Sequence, residues 1–334
     1  MTRVKLGDIA RACGVSNGTV SLALNDSPLV NDDTKRAVKQ AADRMGYIPN
    51  ETARSLAKRR SRQIGVIVPD IMNTFYAAFV NEINKNIQKE GYTLSIYISN
   101  NSPDTESKII ERMLRDGVEG IIIVPLNEGN ASPEYVKRLS SLKVPFLFAV
   151  DTYEGTGSVC VMSDYKRGMY DMTKALIDKG YEDIAFLSGD VSVSSLKARL
   201  DGYSEAMAEK GFAASTKVIS VRSIDYTGAC RAVQQCIDDG NLPRAFACPN
   251  DMMALGAINT LRSAGISVPQ DCAVTGFDNV IFSEICSVPI TTVSQNIDLI
   301  AKKSTDIILS MIDGTEIEKT YYLIGTELVQ RSSC

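Results

Sequence analysis

The chain has 334 residues, of which 44% are hydrophobic, so it is long enough to bury a sizeable core and to form more than one domain. It contains no histidine, which excludes Ser-His-Asp and Cys-His catalysis and a mixed cysteine and histidine metal site. The net charge of −4 is uneven: residues 1–60 hold 11 Lys and Arg against 6 Asp and Glu, and the remainder holds 25 against 34. This division predicts a small basic unit that meets phosphate, joined to a larger acidic unit with another task.

The composition also bears on the compartment. No apolar run approaches the roughly 18 residues of a membrane span, and the N-terminus lacks the apolar core of a signal peptide, so we expect a cytoplasmic protein with no membrane contact. The eight cysteines are scattered without a C-x-x-C pair, so we expect reduced thiols and no bound metal. A redox sensor at Cys13 is the alternative.

Two short helices separated by a glycine turn are predicted at the start of the chain. Leu6, Ile9 and Ala10 share one face of the first helix. Gly14 ends that helix, and Ser16 is a good N-cap for the second. Such a pair is a helix-turn-helix, in which the polar side chains that begin the second helix reach base edges in the major groove. An ordinary helical hairpin in a core is the alternative.

A third helix and a short basic segment follow. Asn31 caps the third helix and Gly46 ends it. Pro49 then breaks the chain before residues 51–58, a segment too short to be a stable helix unless it packs against something. Basic residues follow this segment and favour attraction to phosphate over a merely solvated linker.

Short motifs run through this whole region and into the next. In chain order they are Asp8-Ile9-Ala10, Gly14-Val15-Ser16, Thr19-Val20-Ser21, Leu24-Asn25, Thr34-Lys35-Arg36, Gly46-Tyr47, Pro49-Asn50, Ala53-Arg54-Ser55-Leu56 and Ile64-Gly65-Val66-Ile67-Val68-Pro69-Asp70. Together they resemble the lac repressor/galactose repressor family of bacterial transcription regulators. The resemblance covers essentially the whole chain. We therefore expect a helix-turn-helix DNA-binding domain over 1–48, a hinge helix and linker over 49–61, and an effector-binding sensor domain over 62–334.

The resemblance implies a homodimer that binds a pseudo-palindromic operator. Asn17 is suited to adenine, and Leu22 to a thymine methyl group. In the family, hinge helices pair in the minor groove and the residue matching Leu56 wedges between base pairs; a linker helix packed on the next domain is the alternative. The predicted DNA-binding positions are Leu6, Ser16, Asn17, Thr19, Ser21, Leu22, Asn25, Asn31, Thr34, Tyr47, Asn50, Ala53 and Leu56.

Three positions depart from the family pattern. Leu22 stands where arginine is most often found, Gly18 has no side chain to read a base, and Lys5 replaces the usual Ser or Thr cap of the first helix. We therefore expect the backbone N–H groups at the start of that helix to have fewer hydrogen-bond partners. We hypothesise an operator that differs from the commonest family half-site and is read through fewer base hydrogen bonds and more through DNA shape.

From residue 64 onward, predicted strands alternate with helices. Short apolar runs suit parallel sheets that are covered on both faces. They are 64–68, 94–98, 120–124 and 146–150 in a first doubly wound unit, and 159–162, 184–187, 218–221, 245–248 and 273–276 in a second. A last helix over about 295–313 and closing strands around 321–324 and 327–329 are expected to return to the first unit.

This pattern predicts two lobes that clamp a ligand. The N-lobe spans about 62–158 and 294–322, and the C-lobe about 159–293 and 323–334. Small ligands bind in the cleft at the carboxyl ends of such strands, and the family's sensor domain has the fold of periplasmic sugar-binding proteins. The predicted fold class is a small all-α helix-turn-helix domain followed by a two-lobed α/β sensor domain with doubly wound parallel sheets.

The cleft positions that match the family combine carboxylates, an arginine and an amide with aromatic rings, which suits a polyhydroxylated ligand. They are Asp70, Phe75, Asp151, Arg199, Tyr226, Asn250 and Asp278. Each has an ordinary alternative, such as a loop cap for Asp70, a core aromatic for Phe75 or a structural ion pair for Arg199. Asp151 also stands six residues after Pro145, where the family's acid usually stands five after it.

We predict a transcriptional repressor controlled by a sugar or sugar derivative. A nucleobase or a protein co-regulator is the alternative effector. A solute-binding protein is contradicted by the basic N-terminal unit, and a sugar-acting enzyme lacks a convincing catalytic set. Without a G-x-G-x-x-G or Walker A stretch we expect no cofactor, and without a C-terminal leucine heptad we expect a dimer and not a tetramer.

Overall fold

The computed structural model describes residues 4–47, 61–126, 138, 141, 143–153, 156–189 and 191–334. The chain separates into two units, Met1–Ser61 and Arg62–Cys334. Within the described ranges, none of the helices combines the length and apolar character that a membrane span requires.

The first unit contains the three predicted helices: α1 (Leu6–Cys13), α2 (Asn17–Leu24) and α3 (Asp32–Met45). Their ends follow the local sequence: the Ser16 hydroxyl accepts the Thr19 N–H, and the side-chain Oδ1 of Asn31 accepts the Thr34 N–H. Gly14 takes a left-handed conformation with φ of 66°, which ends α1 as predicted. The buried core between the helices consists of Ile9, Ala10, Val20, Ala23, Val30, Val38, Ala41 and Ala42.

The backbone N–H groups at the start of α1 have more hydrogen-bond partners than the sequence suggested. The Lys5 side chain makes no cap hydrogen bond, as expected. The Asp8 carboxylate, however, accepts the Lys5 backbone N–H at 2.8 Å. An acid in the first turn therefore replaces part of the missing cap and also favours the positive end of the helix dipole.

The second unit alternates strands and helices. Its strands are β1 (Gln63–Val68), β2 (Thr93–Ile98), β3 (Gly120–Ile123), β4 (Phe146–Ala149), β5 (Cys160–Ser163), β6 (Ile184–Ser188), β7 (Lys217–Ser220), β8 (Ala245–Ala247), β9 (Ala273–Thr275), β10 (Thr292–Ser294), β11 (Tyr321–Ile324) and β12 (Glu327–Val329). Its helices are α4 (Thr74–Lys89), α5 (Pro103–Asp116), α6 (Tyr165–Asp178), α7 (Ser194–Glu209), α8 (Tyr226–Asp238), α9 (Asp251–Ser263), α10 (Ile281–Ile285) and α11 (Ile297–Ile312), with a 3₁₀ turn at Ala213–Ser215.

Two parallel sheets organise this unit. The larger has the order β11-β5-β4-β3-β1-β2, with Ile64 between Leu94 and Gly120, and the smaller has the order β7-β6-β8-β9. In both sheets a strand is added on one side of the first strand before the chain crosses to the other side, the doubly wound arrangement that the sequence predicted. The carboxyl ends at such a crossing are where α/β folds bind ligands.

The strand at 159–162 was assigned to the wrong lobe. β5 pairs in parallel with β4 and β11, so it belongs to the first sheet and does not begin the second. All of β11 also lies in the first sheet, whereas β12 pairs with β10 in a separate antiparallel ribbon. The expected C-lobe starts at 159 and 323 are therefore wrong, because a short buried strand looks alike in either sheet and only its neighbours decide where it pairs.

Candidate functional site

The residues that follow the strands of both sheets line one cavity of about 390 Å³. All seven sequence-predicted effector positions lie in its wall: Asp70, Phe75, Asp151, Arg199, Tyr226, Asn250 and Asp278. They come from widely separated parts of the chain, and the carboxyl ends of parallel strands bring them together.

Arg199 is a buried charged side chain of this wall. It is 7% exposed, and its guanidinium lies 4.2 Å from the centre of the Tyr165 ring and 4.4 Å from that of Phe277. One terminal nitrogen donates to the Ser195 carbonyl oxygen at 3.2 Å, while Nε is buried without a hydrogen-bond partner among the described residues. A buried donor without a partner is costly, so it marks a place where a bound molecule would be stabilised.

Close helix packing sets the position of this arginine. A Cβ atom at Gly202, one turn after Arg199 in α7, would lie only 2.1 Å from the Lys166 carbonyl oxygen of α6. Glycine at this position therefore lets α7 approach α6 closely enough for Arg199 to stack on Tyr165, the first residue of α6.

Asp278 faces Arg199 from the end of the second sheet. Its Oδ1 lies 3.6 Å from a terminal nitrogen of Arg199 and accepts a hydrogen bond from Gln295 Nε2 at 2.6 Å. Burial raises the pKa of Asp278 to about 6, although Arg199 and the Gln295 hydrogen bond lower it. Its backbone has φ of 110°, a conformation that side chains rarely adopt. Such strain is typical of positions held in place for function.

Asp151 lines the cavity, but its carboxylate is already engaged. Oδ1 accepts the Thr152 N–H at 2.8 Å and the Ser194 hydroxyl, and Oδ2 accepts the Ser195 N–H at 3.3 Å. Asp151 follows β4 of the first sheet, whereas Ser194 begins α7 of the second lobe. The carboxylate thus ties the two lobes together at the cavity wall.

The remaining predicted positions combine a structural contact with exposure to the cavity. Asp70 Oδ1 accepts the Met72 N–H at 2.8 Å, and Asn250 Oδ1 accepts the Met253 N–H at the start of α9. The Tyr226 hydroxyl accepts from the Asn259 amide at 3.1 Å. Phe75 is buried in the core beneath the first sheet and also reaches the wall. Loop cap, helix cap and core aromatic therefore describe these residues correctly, without removing them from the cavity.

Sequence reasoning missed several polar residues of this wall, among them Tyr165, Ser195, Asp225 and Gln295. Asp225 caps α8 one residue before Tyr226, a placement that its Ser and Thr neighbours could have indicated. Phe277, which stacks on Arg199, directly precedes the predicted Asp278 in the sequence. Tyr165 and Gln295 carry no local signal, because only the tertiary fold brings them to the arginine and the aspartate.

The predicted DNA-reading positions lie on and around α2. Asn17, Ser21 and Asn25 are exposed, and Leu22 is 39% exposed. The Thr19 hydroxyl pairs with that of Ser16 at 2.9 Å, so both serve the helix start. The exposed positions are available to base edges, as a helix-turn-helix requires.

The other predicted DNA-contact residues differ in their exposure to solvent. Asn31 is exposed and caps α3, Thr34 is half-buried, and Leu6 and Tyr47 pack partly against the core of the unit. The predicted hinge positions Asn50, Ala53 and Leu56 lie outside the described residues.

Comparison with known proteins agrees with both halves of this description. Residues 5–50 match the family model for bacterial regulatory proteins of the lacI family, and residues 173–334 match the model for a periplasmic binding protein-like domain. The HTH-type transcriptional repressor PurR of Vibrio atlanticus is 30% identical over 98% of this chain and 97% of its own length. Two solved structures, each 25% identical, extend the likeness to the whole fold. The lac repressor dimer bound to operator and the anti-inducer ONPF aligns over 99% of both chains with a TM-score of 0.89. The complex of the transcriptional regulator CelR with cellobiose aligns over 99% of this chain and 100% of that chain with a TM-score of 0.73.

The helix-turn-helix, the two doubly wound sheets and the full-length similarity lead to one identification. The relatives are transcriptional regulators and not enzymes, in agreement with the prediction from sequence. The chain is a DNA-binding transcriptional regulator and belongs to the lacI family of bacterial regulatory proteins.

Proposed function

We propose that this protein is a cytoplasmic repressor that binds a pseudo-palindromic operator as a homodimer and responds to a sugar or sugar derivative. The observation that carries the proposal is the cavity in which all seven predicted effector positions meet. A pocket of this size, lined by aromatic rings and a few converging polar groups, is typical of small-ligand sites.

The polar groups that remain available favour hydroxyl groups. Arg199 Nε is a buried donor without a partner, and Asp278 Oδ2 accepts no hydrogen bond from the described residues. A hydroxyl group donates and accepts at once, so neighbouring hydroxyls of one ligand would satisfy both side chains. The rings of Phe75 and Tyr226 offer apolar surface for the faces of a sugar ring. The CelR complex with cellobiose supports a sugar as the class of ligand.

The hydrogen bonds of Asp151 between the lobes offer a way to couple ligand binding to DNA binding. They join the two lobes beside the cavity, so a ligand that prefers one arrangement of the lobes shifts the equilibrium between arrangements. Regulation requires only that operator and ligand prefer different arrangements, and the coupling is then reciprocal.

Two observations support a homodimer. Ile281 and Ile285, one turn apart on α10, are 57% and 65% exposed, and such paired apolar side chains are typical of interaction surfaces. The aligned lac repressor is a dimer on its operator. A two-fold dimer reads two half-sites, which explains a pseudo-palindromic target.

The oligomeric state can be tested by sedimentation equilibrium. We expect the unaltered protein to have twice the mass of one chain, and Ile285→Asp to have the mass of a single chain. Val191→Asp is the matched control, because Val191 is another exposed apolar side chain in a different place. A monomer in the unaltered protein, or equal dissociation by both variants, contradicts this surface.

The effector is tested by a thermal-shift screen of sugars, sugar phosphates, nucleosides and purines. A ligand at about 100 times its dissociation constant adds roughly 2.7 kcal/mol to the stability of the folded state. We expect one chemical class of sugar to raise the melting temperature, and Asp278→Asn to abolish the response. Lys197→Ala on the outer face of the same helix as Arg199 is the control and should leave it unchanged. A response only to purines assigns the alternative effector, and no response to any compound removes the support for a small-molecule effector.

The operator is tested by selection from random duplexes. We expect an inverted repeat whose half-sites differ from the commonest family half-site, because Leu22 and Gly18 offer fewer hydrogen bonds to bases. Recovery of the ordinary half-site contradicts that difference. Recovery of sequences without any inverted repeat contradicts binding by a two-fold dimer.

A further inference from the structure

The charge of the cavity wall restricts the ligand further than its shape does. Four carboxylates line the cavity: Asp70, Asp151, Asp225 and Asp278. Arg199 is the one cationic side chain among the described residues of the wall. A cleft lined mainly by charges of one sign focuses the electrostatic potential between its walls, which are poorly polarisable compared with water.

The single cation is already compensated. The Arg199 guanidinium lies 3.6 Å from Asp278 Oδ1 and between two aromatic rings, whose faces also attract positive charge. A ligand anion at this arginine would lie close to the Asp278 carboxylate. Arg199 therefore has a hydrogen-bond donor to offer but no uncompensated positive charge.

Helix starts are the other places in such a cleft where an anion could bind, because their backbone N–H groups carry partial positive charge. At α7 and α8 the protein supplies its own carboxylates. Asp151 accepts from the Ser195 N–H at the start of α7. Asp225 accepts from the Gly228 N–H at 2.7 Å at the start of α8, together with the hydroxyls of Thr227 and Ser223.

The carboxylate at α8 also stays ionised. Burial raises the pKa of Asp225, but its hydrogen bonds from Gly228, Thr227 and Ser223 outweigh burial and keep the pKa below its usual value. At neutral pH this position therefore repels an incoming anion.

We infer that the cavity accepts an uncharged, hydroxyl-rich ligand and excludes phosphorylated and carboxylated compounds of the same shape. That the ligand is a regulatory effector rests on the proposed function. The chemical class of the ligand is inferred from the charges of the cavity wall. A phosphate group would lose its hydration and meet the carboxylates that occupy the starts of α7 and α8. An uncharged hydroxyl group loses far less on entering and can donate to the same carboxylates.

A thiol placed in the wall measures this selectivity without knowledge of the natural ligand. Ser195 lines the cavity and its hydroxyl has no hydrogen-bond partner in the described part of the chain, so Ser195→Cys is a small change. Ser263→Cys, at the exposed end of α9, is the matched control. Both are treated with uncharged iodoacetamide and with anionic iodoacetate, and the modification of each thiol is followed by peptide mass spectrometry, which separates it from the native cysteines.

The ratio of the two rates cancels the intrinsic reactivity of each thiol. We expect the iodoacetate to iodoacetamide ratio to be about tenfold lower for Ser195→Cys than for Ser263→Cys, from the excess negative charge nearby. Adding Asp70→Asn, which removes one carboxylate from the wall, should raise the ratio severalfold. Equal ratios at the two positions overturn the inference.

Matched ligand pairs complete the test. Monosaccharides and their 6-phosphates are compared by thermal shift on the unaltered protein, and we expect any phosphate to bind at least tenfold more weakly than its parent sugar. A phosphate that binds more tightly than its parent overturns the inference and leaves a small-molecule effector in place. A low iodoacetate ratio without any response to sugars, sugar phosphates or purines supports the inference about charge and counts against the proposed function instead.

Discussion

The outer and inner faces of α7 carry the same kind of ion pair in two different surroundings. Lys197 and Asp201 face solvent, with 61% and 46% of their side chains exposed. Arg199 and Asp278 lie in the cavity wall, with only 8% and 12% exposed. Solvent screens the first pair, so its contribution to stability is small. The second pair is desolvated, so the loss of either partner changes the stability and charge of the site.

The difference in burial between the two pairs shows that the importance of a charged residue depends on its surroundings. The Lys197 pair has the better distance, 2.7 Å against 3.6 Å for the Arg199 pair. Yet the second pair is held by stacking, by Gln295 and by a strained backbone, and both of its residues lie in the cavity wall. Burial, and not the separation of the charges, decides which pair matters.

Replacement of Arg199, the buried cation, should change the free energy of unfolding more than any other substitution considered below. Arg199→Leu leaves the Asp278 carboxylate in the wall without its positive partner and should lower the free energy of unfolding by about 3–5 kcal/mol at pH 7.5. Lys197→Leu, two residues away on the outer face, should lower it by less than about 1 kcal/mol. Urea denaturation of both variants measures the contrast, and equal losses would show that the comparison of the two faces is wrong.

The pH dependence of stability sharpens the comparison. Burial raises the pKa of Asp278 to about 6, above that of the unfolded chain. Its contribution to stability is therefore fully present below the unfolded value and is lost as pH rises through about 6. Asp278→Asn avoids that loss and should be more stable than the unaltered protein by about 2–3 kcal/mol above pH 7, and by little near pH 4. A difference in unfolding free energy that stays constant from pH 4 to 7.5 contradicts this role of Asp278.

Local patterns predicted most of the fold because local interactions determine it. Phe75, Phe79 and Ile83 recur every four residues, the spacing of a helical stripe, and pack against the first sheet as part of α4. Ser16 and Asn31 cap the helices that they were expected to cap. These signals depend on helical spacing and on neighbouring N–H groups, so they are present in the sequence itself.

Long-range contacts limit what the sequence predicts. The strand Cys160–Ser163 was recognised as a strand but placed in the wrong sheet, because pairing with β4 and β11 leaves no local pattern. At the site, Asp278 was among the predicted effector positions, whereas Gln295, which donates a hydrogen bond to it, was not. Asp151 was predicted as a ligand contact, and its bond to Ser194 depends on the approach of two lobes.

A cap at an exposed helix start should have an intermediate effect. The Ser16 hydroxyl accepts the Thr19 N–H at 3.0 Å, so Ser16→Ala leaves that donor to water and should destabilise α2 by about 1 kcal/mol. Amide hydrogen exchange within α2 of the full chain should become about fivefold faster. Ser21→Ala, on the same helix but without a cap contact, is the control. Similar exchange in the two variants would rule out this role of the Ser16 hydroxyl.

The smallest effects are expected from the exposed ion pairs of the first unit. Between residues 4 and 47 the chain holds six Lys and Arg and five Asp and Glu, whereas residues 48–60 hold four and one. Several basic side chains of the three-helix unit already pair with acids, among them Lys39 with Asp26 and Arg36 with Asp33. Lys39→Gln should therefore change the unfolding free energy by less than about 1 kcal/mol.

The pairing of these basic side chains with acids also predicts which residues attract DNA phosphate. Binding to a random-sequence duplex should show nearly the same salt dependence for Lys39→Gln as for the unaltered protein, because that lysine already neutralises Asp26. Arg60→Gln, outside the described residues, should lower the slope of log K against log salt by about 0.9, the value for one phosphate contact. A lower slope for Lys39→Gln, with an unchanged slope for Arg60→Gln, would instead assign a phosphate contact to the three-helix unit. Paired charges of the three-helix unit, such as Lys39 and Asp26, would then contribute to DNA binding despite their pairing.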